Sequence, residues 1–167
     1  MMLKKIVLIF MIAFCSNVVL AQTLILSDKT QLKYDDPLLI SHTVDTLIFK
    51  YKDWSFAHEV VNPKNIYLKV DLSGIERLYL SSIFDEKERE KLPKWLMALA
   101  EEQADSFGVK NNNVKRKKIG EADLIAVFDA DQAISHIYLF ENLKIHHFVV
   151  HGNEKMLSDV INKIGVR

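Results

Sequence analysis

The stretch "ISHIYLFENLKIHHFVVHGNEKMLSDVINKI", from Ile134 to Ile164, decides the fold. Two segments rich in β-branched and aromatic residues flank the polar turn "ENLK", and their composition and length predict a pair of antiparallel strands. Asn153 can cap a helix, and the apolar residues behind it recur with the spacing i, i+3, i+4 and i+7. We therefore expect strand, strand and helix in this order, with Gly152 as the hinge before the helix. The apolar face of this helix consists of Leu157, Val160, Ile161 and Ile164.

The segments before this stretch predict a third strand and a longer helix. "ADLIAVF", Ala122 to Phe128, has the composition of a strand and leads through the acidic turn "DADQ" into the pair. Further upstream, "KLPKWLMALAEEQADSFG" has helical spacing. Pro93 suits the first turn of a helix and Gly108 suits its end, so the main helix is predicted from Pro93 to Phe107. Its predicted apolar stripe consists of Leu92, Trp95, Leu96, Leu99, Gln103 and Phe107.

The N-terminal half carries strand-like patterns. Thr23–Leu26 and Asp45–Val60 mix aromatic, β-branched and polar residues, and the turn-forming "YDDP", Tyr34 to Pro37, separates them. "NIYLKVDL", Asn65 to Leu72, alternates apolar and polar residues as a half-buried strand does. After a short turn, "ERLYLSS" continues in the same phase and predicts a hairpin. The apolar faces match when Val70 pairs with Leu78 and Leu68 with Leu80.

The first 21 residues predict export. Two lysines precede an unbroken apolar run from Ile6 to Phe14, and Ala21 is a small residue at the expected cut. This combination is typical of a secretory signal peptide, so we expect cleavage after Ala21 and a periplasmic or secreted protein. An uncleaved membrane anchor is an alternative, although the run is shorter than the roughly 20 apolar residues of a spanning helix. Lipidation at Cys15 is another, although Phe14 stands where a small residue belongs.

The remaining chain is predicted to be one α+β domain, residues 22–167, with an antiparallel sheet packed by helices. The full sequence has 22 basic and 22 acidic side chains, and the first 21 residues hold two of the lysines, which leaves a formal net charge of −2. This near-neutral charge argues against nucleic acid as the main partner. The only cysteine precedes the expected cut, so we expect no disulfide. No Asn-x-Ser/Thr acceptor follows residue 21, which favours a bacterial envelope protein.

The order of these elements resembles a known group of proteins. A strand pair, a long amphipathic helix, three meandering strands and a closing helix introduced by "VVHGNEKMLSDVINKI" are similar to the PsbP-like α/β/α sandwich group. The resemblance implies a small extracytoplasmic scaffold or accessory domain, whose relatives are mostly binding or assembly factors. It brings no shared catalytic residues.

Signatures of enzymes are missing from the sequence. There is no Gly-x-Ser-x-Gly elbow, no phosphate-binding glycine loop and no cysteine after residue 21. "HEVVN" departs from the zinc-protease motif, because Asn62 replaces the second histidine and Pro63 opposes a helix. The "DAD" at Asp129 to Asp131 is best explained as a hairpin turn. We therefore predict no catalytic residues and no bound cofactor, and a non-enzymatic accessory or interaction module of the bacterial envelope.

Three histidines in "KIHHFVVHG" suggest an alternative function. If the "ENLK" turn is tight, paired residues of the two strands have numbers that sum to 285, and strand alternation separates the neighbours. His136, His147 and His151 then share one face, whereas His146 lies on the other. Three imidazoles on one face can bind zinc or copper, change charge together near pH ~6, or each form local hydrogen bonds. The alternative function is therefore a metal-binding or metal-handling protein.

Two further segments are candidates for partner binding. The basic run Lys115, Arg116, Lys117 and Lys118 predicts an exposed loop leading into an edge strand, which lysines protect from aggregation. An acidic partner or a membrane surface is the alternative ligand for this run. An interaction module also needs an exposed apolar patch, for which we expect Tyr51, Trp54 and Phe56 to be exposed. The expected partner is another envelope or secreted protein.

Overall fold

A computed structural model describes residues 22–66, 70–110 and 112–167. The predicted signal peptide and its cleavage site after Ala21 lie outside the described residues. Within these residues the chain forms ten strands and four helices, and every pairing between the strands is antiparallel. The predicted α+β class, with antiparallel sheets packed by helices, is therefore confirmed.

The elements follow one another along the chain with short connections between most strands. The strands are β1 (Gln22–Ile25), β2 (Thr30–Tyr34), β3 (Leu39–His42), β4 (Thr46–Lys50), β5 (Ser55–Val60), β6 (Val114–Ile119), β7 (Ala122–Asp129), β8 (Ile134–Phe140), β9 (Ile145–His151) and β10 (Ile164–Val166). The helices are α1 (Glu76–Ile83), α2 (Glu86–Arg89), α3 (Lys94–Ser106) and α4 (Glu154–Lys163). Seven strands form the main sheet in the order β3-β4-β5-β9-β8-β7-β6, and the others form a small sheet in the order β1-β2-β10.

The main sheet buries apolar side chains on both faces. Because strand residues alternate between the faces, Tyr138 and Phe140 of β8 pack under α1 and α3, whereas Ile137 and Leu139 pack under α4 and the small sheet. We call these the helix face and the small-sheet face. Each face has a separate cluster of buried residues, so the near-continuous apolar sequence of β8 follows from burial on both sides.

The stretch that decides the fold forms as the sequence predicts. β8 and β9 occupy the predicted residues, and Leu139 pairs with His146 in the register whose numbers sum to 285. The side chain of Asn153 accepts hydrogen bonds from the backbone N–H groups of Lys155 and Met156, at 3.1 and 3.2 Å, and caps α4. Local pattern and local capping are sufficient to define this part of the molecule.

Helix α3 is confirmed, but its apolar stripe differs from the predicted one. Pro93 stands at its start and Gly108, with φ +64°, follows its end. The helix buries Leu96, Ala100 and Ala104, whereas Trp95 is 54% exposed. Small alanine side chains let a helix approach its neighbours closely, so the face that carries them packs inward and the larger Trp95 is left at the surface.

The predicted hairpin between residues 65 and 82 is wrong: none of the described residues of its first segment, Asn65–Leu72, belongs to a strand of the two sheets, and its second segment is helical. Glu76–Ile83 is helix α1, so Val70 and Leu78 do not pair across a hairpin, and Leu68 lies outside the described residues. The turn before α1 is fixed by Asp71, whose carboxylate accepts from the Ser73 backbone N–H at 2.9 Å. A short apolar pattern fits both structural periods, and burial of Tyr79, Leu80 and Ile83 on one side selects the helix.

Candidate functional site

Two hydrogen-bonded networks of side chains cross the centre of the main sheet, one on each face. On the helix face, Glu59 of β5 lies 2.9 Å from His147 Nδ1, and His147 Nε2 lies 3.1 Å from His136 Nδ1. Because a carboxylate only accepts, His147 Nδ1 carries the proton and its Nε2 accepts from His136. The carboxylate therefore fixes the tautomer of both rings.

Aromatic rings hold this pair of imidazoles in place. His136 stacks against Phe107 with ring centroids 3.7 Å apart, and His147 stacks against Tyr138 at 4.3 Å. Burial, together with the neighbouring His147 and His151, lowers the pKa of His136 to about 3. The hydrogen bond from His147 lowers the pKa of Glu59. Near neutral pH the helix face thus holds a neutral His136 beside a carboxylate-oriented imidazole.

The second network of side chains lies on the small-sheet face. His146 is fully buried, with Nδ1 3.1 Å from His58 Nε2 and Nε2 3.3 Å from Glu141. Glu141 also accepts from the hydroxyls of Ser27 and Thr30, at 2.7 and 2.5 Å. Burial lowers the pKa of His146, and burial together with His146 lowers the pKa of His58 to about 4. This network connects the loop between β1 and β2 to the main sheet by polar contacts.

The predicted histidine triad is present only as a pair. His136 and His147 meet, and His146 is directed to the other face, as the sequence predicts. His151 is exposed, and its imidazole forms no hydrogen bond within the described residues. Over the same part of the chain, no group of three or more His, Cys, Asp or Glu residues is arranged to hold a metal ion.

Sequence reasoning missed the partners of these histidines. His58, Glu59 and Glu141 complete the two networks of side chains. His58 and Glu59 lie on β5. The pairing of β5 with β9 joins residues nearly 90 positions apart, for example Glu59 with His147. A local pattern cannot reveal a pairing between residues so far apart in the sequence. The only sequence signal for the partners on β5 was the alternation of faces along that strand.

The predicted basic run forms the edge strand β6. The expected edge strand is therefore present, but it begins at Val114, so the run itself is strand and not loop. Lys117 lies 3.5 Å from the Ile161 carbonyl oxygen, and the other three cations form ion pairs within the chain. These pairs are Lys115–Glu154 at 2.7 Å, Arg116–Asp85 at 3.3 Å and Lys118–Asp123 at 3.0 Å.

The aromatic patch expected at the surface lies mostly inside the molecule. Phe56 is 2% exposed and belongs to the core on the small-sheet face, so the prediction that it is exposed is wrong. Tyr51 and Trp54 stack with ring centroids 4.2 Å apart and pack against the same core. Alternation within β5 directs Phe56 inward, next to Phe49 on β4. Partial burial raises the pKa of Tyr51 to about 12.

A cluster of exposed apolar residues is found instead at β3, the other edge of the main sheet. In the sheet as described, β3 pairs only with β4, and all four of its residues are exposed. Leu38, Leu39, Ile40 and Val44 are 75%, 56%, 44% and 91% exposed. The segment Leu38–Val44 contains no Lys, Arg, Asp or Glu. We call it the β3 edge.

The β3 edge also offers backbone groups for pairing. A two-residue turn joins β3 to β4, with the Thr43 backbone N–H donating to the Thr46 carbonyl at 2.9 Å. Residues of an antiparallel strand direct their N–H and C=O groups alternately to its two sides. At the start of β3 the Leu38 backbone N–H donates to the Lys50 carbonyl at 2.8 Å. From Ile40 onwards, Ser41 and Thr43 bond to β4, and Ile40 and His42 direct their backbone groups to the open side.

No model of a known protein family and no curated protein matches this sequence. Within the described residues, none of the helices combines the length and the apolar character that a membrane crossing requires.

Proposed function

We propose that this protein is an exported, non-enzymatic interaction module of the bacterial envelope, periplasmic or secreted, which binds a partner protein by strand addition at the β3 edge. The observation that carries the proposal is the difference between the two edges of the main sheet. β6 has four cations, which oppose the addition of another strand, whereas the β3 edge has no Lys, Arg, Asp or Glu and exposes Leu38, Leu39 and Ile40. Exposed uncharged edges are the surfaces at which an extended peptide adds to a sheet.

The fold is consistent with the PsbP-like α/β/α sandwich type that we propose for it. The main sheet is covered by α1 and α3 on one face and by α4 with the small sheet on the other. Both faces are packed over the centre of the sheet, so the edges are the parts of its backbone that remain open for pairing. This arrangement supports an accessory role in which the fold presents one edge to a partner.

The chemistry of the β3 edge defines the partner segment. It is an extended segment of another envelope or secreted protein with apolar side chains on both faces, because Leu39 and Ile40 project to opposite faces and both are exposed. Asp36 and Asp45 flank the edge. Basic residues at the two ends of the partner segment would complement them.

Site-specific crosslinking in cells of the native host tests this proposal. A photoreactive amino acid at His42 should form an adduct of one defined mass, whereas the same amino acid at Lys117 on β6 should not. The substitution Ile40→Lys should abolish the adduct formed at His42, because a lysine opposes strand addition. Leu143→Lys, at another exposed apolar position, is the matched control and should leave the adduct unchanged. Adducts that survive Ile40→Lys would contradict the proposal.

A metal-binding function is a second candidate, supported by the helix-face histidine pair. His136 Nδ1 and His147 Nε2 are 3.1 Å apart, close to the about 3.3 Å that separates two imidazole nitrogens on one tetrahedral zinc ion. Glu59 bonds the other nitrogen of His147, as carboxylates do behind histidine ligands. Such a site would consist of two protein ligands, His136 and His147, with water in the remaining positions.

The melting temperature with and without metal tests the second candidate. Zinc or copper should raise it if the pair binds metal, because binding to the folded state stabilises that state. His147→Gln should remove the increase, whereas His42→Gln, at an exposed histidine on β3, should retain it. An unchanged melting temperature at large metal excess would remove this candidate.

A further inference from the structure

We infer that the groove between α1 and the outer strands of the main sheet binds a single-chain amphiphile with one carboxylate, the chemistry of a free fatty acid. The groove lies on the helix face, over β6, β7 and the end of β8, and has a volume of about 750 Å³. Sites for small molecules commonly have volumes of about 300–1,000 Å³. The lining residues that define its chemistry are Arg77, Leu78, Ser81, Arg116, Ile125 and Phe140.

The floor of the groove is apolar. Ile125 of β7 and Phe140 of β8 belong to the buried cluster of the helix face, and Leu78 of α1 packs against that cluster. Helix α1 runs beside this floor and has eight residues, which corresponds to a length of about 12 Å. An apolar chain along the groove would cover these side chains, and the removal of apolar surface from water favours its binding.

One end of the groove carries an exposed arginine without an ion pair. The guanidinium of Arg77 lies 5.5 Å from the centroid of the Phe140 ring and donates to the backbone carbonyl oxygen of Glu141. The carboxylate of Glu141 is bonded instead to His146 on the small-sheet face. Within the described residues Arg77 forms no ion pair. Its charge is therefore free to balance an anionic group, and its planar fork of N–H donors fits a carboxylate.

The strand register places a second cation at the same end. Lys118 of β6 pairs across the strands with Asp123, which pairs with Phe140, so these side chains share one row of the helix face. The ion pair between Lys118 and Asp123, at 3.0 Å, is exposed. The ammonium of Lys117 lies near a carbonyl oxygen of α4, on the other face. Two cations, Arg77 and Lys118, thus stand against one carboxylate, and the excess of one positive charge matches one anionic head group.

The charges at the other end of the groove cancel within the chain. Arg116 pairs with Asp85 at 3.3 Å and donates to the Phe84 carbonyl oxygen at 3.0 Å. Glu88, which also lines this end, pairs with Lys91 at 2.6 Å. The groove therefore has one basic end, an apolar floor and a balanced end, in the order of the head and chain of an amphiphile. A membrane surface would require several unpaired cations on this face.

Isothermal titration calorimetry with dodecanoate, below the concentration at which it forms micelles, tests the inference on the chain as its native host produces it. One dodecanoate should bind per chain. Acetate, which lacks the apolar chain, and dodecyltrimethylammonium, which carries a cationic head, should not bind. Arg77→Gln should weaken dodecanoate binding by about tenfold or more, because it removes the charge that balances the carboxylate. Arg167→Gln, at an exposed arginine outside the groove, should leave the affinity unchanged.

Two further variants separate the charge of the groove from its shape. Lys118→Gln, at an exposed side chain whose loss leaves the core intact, should weaken binding by about two- to fivefold. Ser81→Phe places a ring in the groove and should abolish binding without a change of charge. Ser106→Phe, the same substitution at an exposed position of α3, is the matched control and should retain binding. The melting temperature of each variant without ligand shows whether it is folded.

Several results would overturn the inference. These are the absence of saturable dodecanoate binding, equal binding of dodecyltrimethylammonium, and an affinity that neither Arg77→Gln nor Lys118→Gln reduces. Capture of the chain by phosphatidylglycerol vesicles without binding of free dodecanoate would identify a membrane surface as the ligand and would overturn it as well. None of these results affects the proposed function, because the adduct at His42 depends on the β3 edge, at the opposite side of the main sheet.

Discussion

At the scale of single residues, strand alternation places the histidines in two hydrogen-bonded networks on opposite faces of the main sheet. The sequence was sufficient to place His147 with His136 and to send His146 to the other face, because both conclusions need only the turn between β8 and β9. The contribution of His58 could not be predicted, since it depends on which strand lies next to β9. Local geometry can therefore be predicted from the sequence, whereas hydrogen-bond partners on distant strands cannot.

The buried histidines predict that the protein loses stability in mild acid. The folded protein lowers the pKa of His58 to about 4 and that of His136 to about 3, from an ordinary value of 6.5. The unfolded chain therefore binds these protons more readily, so their contribution is complete above 6.5 and is lost as the pH falls towards the lowered values. Between pH ~7 and ~5, the free energy of unfolding should fall by roughly 1–2 kcal/mol for each histidine.

Urea unfolding at the two pH values measures this loss. His136→Gln should reduce the pH dependence, because glutamine keeps a hydrogen-bond donor but does not titrate in this range. His42→Gln, at an exposed position, should leave the dependence as it is. Equal stability of the unmodified protein at both pH values would show that the buried imidazoles are not held neutral.

At the scale of the elements, the sequence predicts those parts whose signals are local. The strands β8 and β9 and the helices α3 and α4 have turns, caps and apolar periods within their own residues. Helix α1 was assigned to a strand because eight residues satisfy both periods, and burial under α3 decides between them. The small sheet was not predicted, because β2 lies between β1 and the distant β10.

The end of α3 provides a test at this scale. Gly108 has φ +64°, and a Cβ atom there would lie 2.8 Å from Cγ of Asp129. Gly108→Ala should therefore destabilise the protein by about 2 kcal/mol or more, through backbone strain and this contact. Gly74→Ala is the control, because Gly74 has φ +87° but open space around it, and should lose only about 1–2 kcal/mol. Thermal unfolding should rank the two; the reverse ranking would contradict the close packing at Asp129.

The start of α4 provides a second test. Asn153→Ala removes the side chain that accepts from Lys155 and Met156, and should lower the free energy of unfolding by about 0.5–2 kcal/mol. Asn153→Asp keeps an accepting oxygen and should retain most of the stability. If the two variants lose the same amount in chemical denaturation, the cap does not contribute as the structure indicates.

At the scale of the whole molecule, the two edges of the main sheet differ in chemistry. The sequence predicted the protected edge, because four consecutive cations at Lys115–Lys118 are a local signal for an edge strand. It did not predict the open one. Whether Leu38–Val44 is an edge or an interior segment depends on the order of the seven strands, which rests on pairings between distant residues. The aromatic patch was proposed in its place, and burial of Phe56 excludes that residue from it.

Hydrogen exchange at the β3 edge tests the central claim, strand addition, most directly. The backbone N–H groups of Ile40 and His42 face the open side, whereas those of Ser41 and Thr43 bond to β4 and serve as internal controls. Exchange at Ile40 and His42 should be fast in the free protein and should slow markedly on addition of a captured partner, with little change at the controls. Fast exchange at both residues under all these conditions would contradict strand addition at β3.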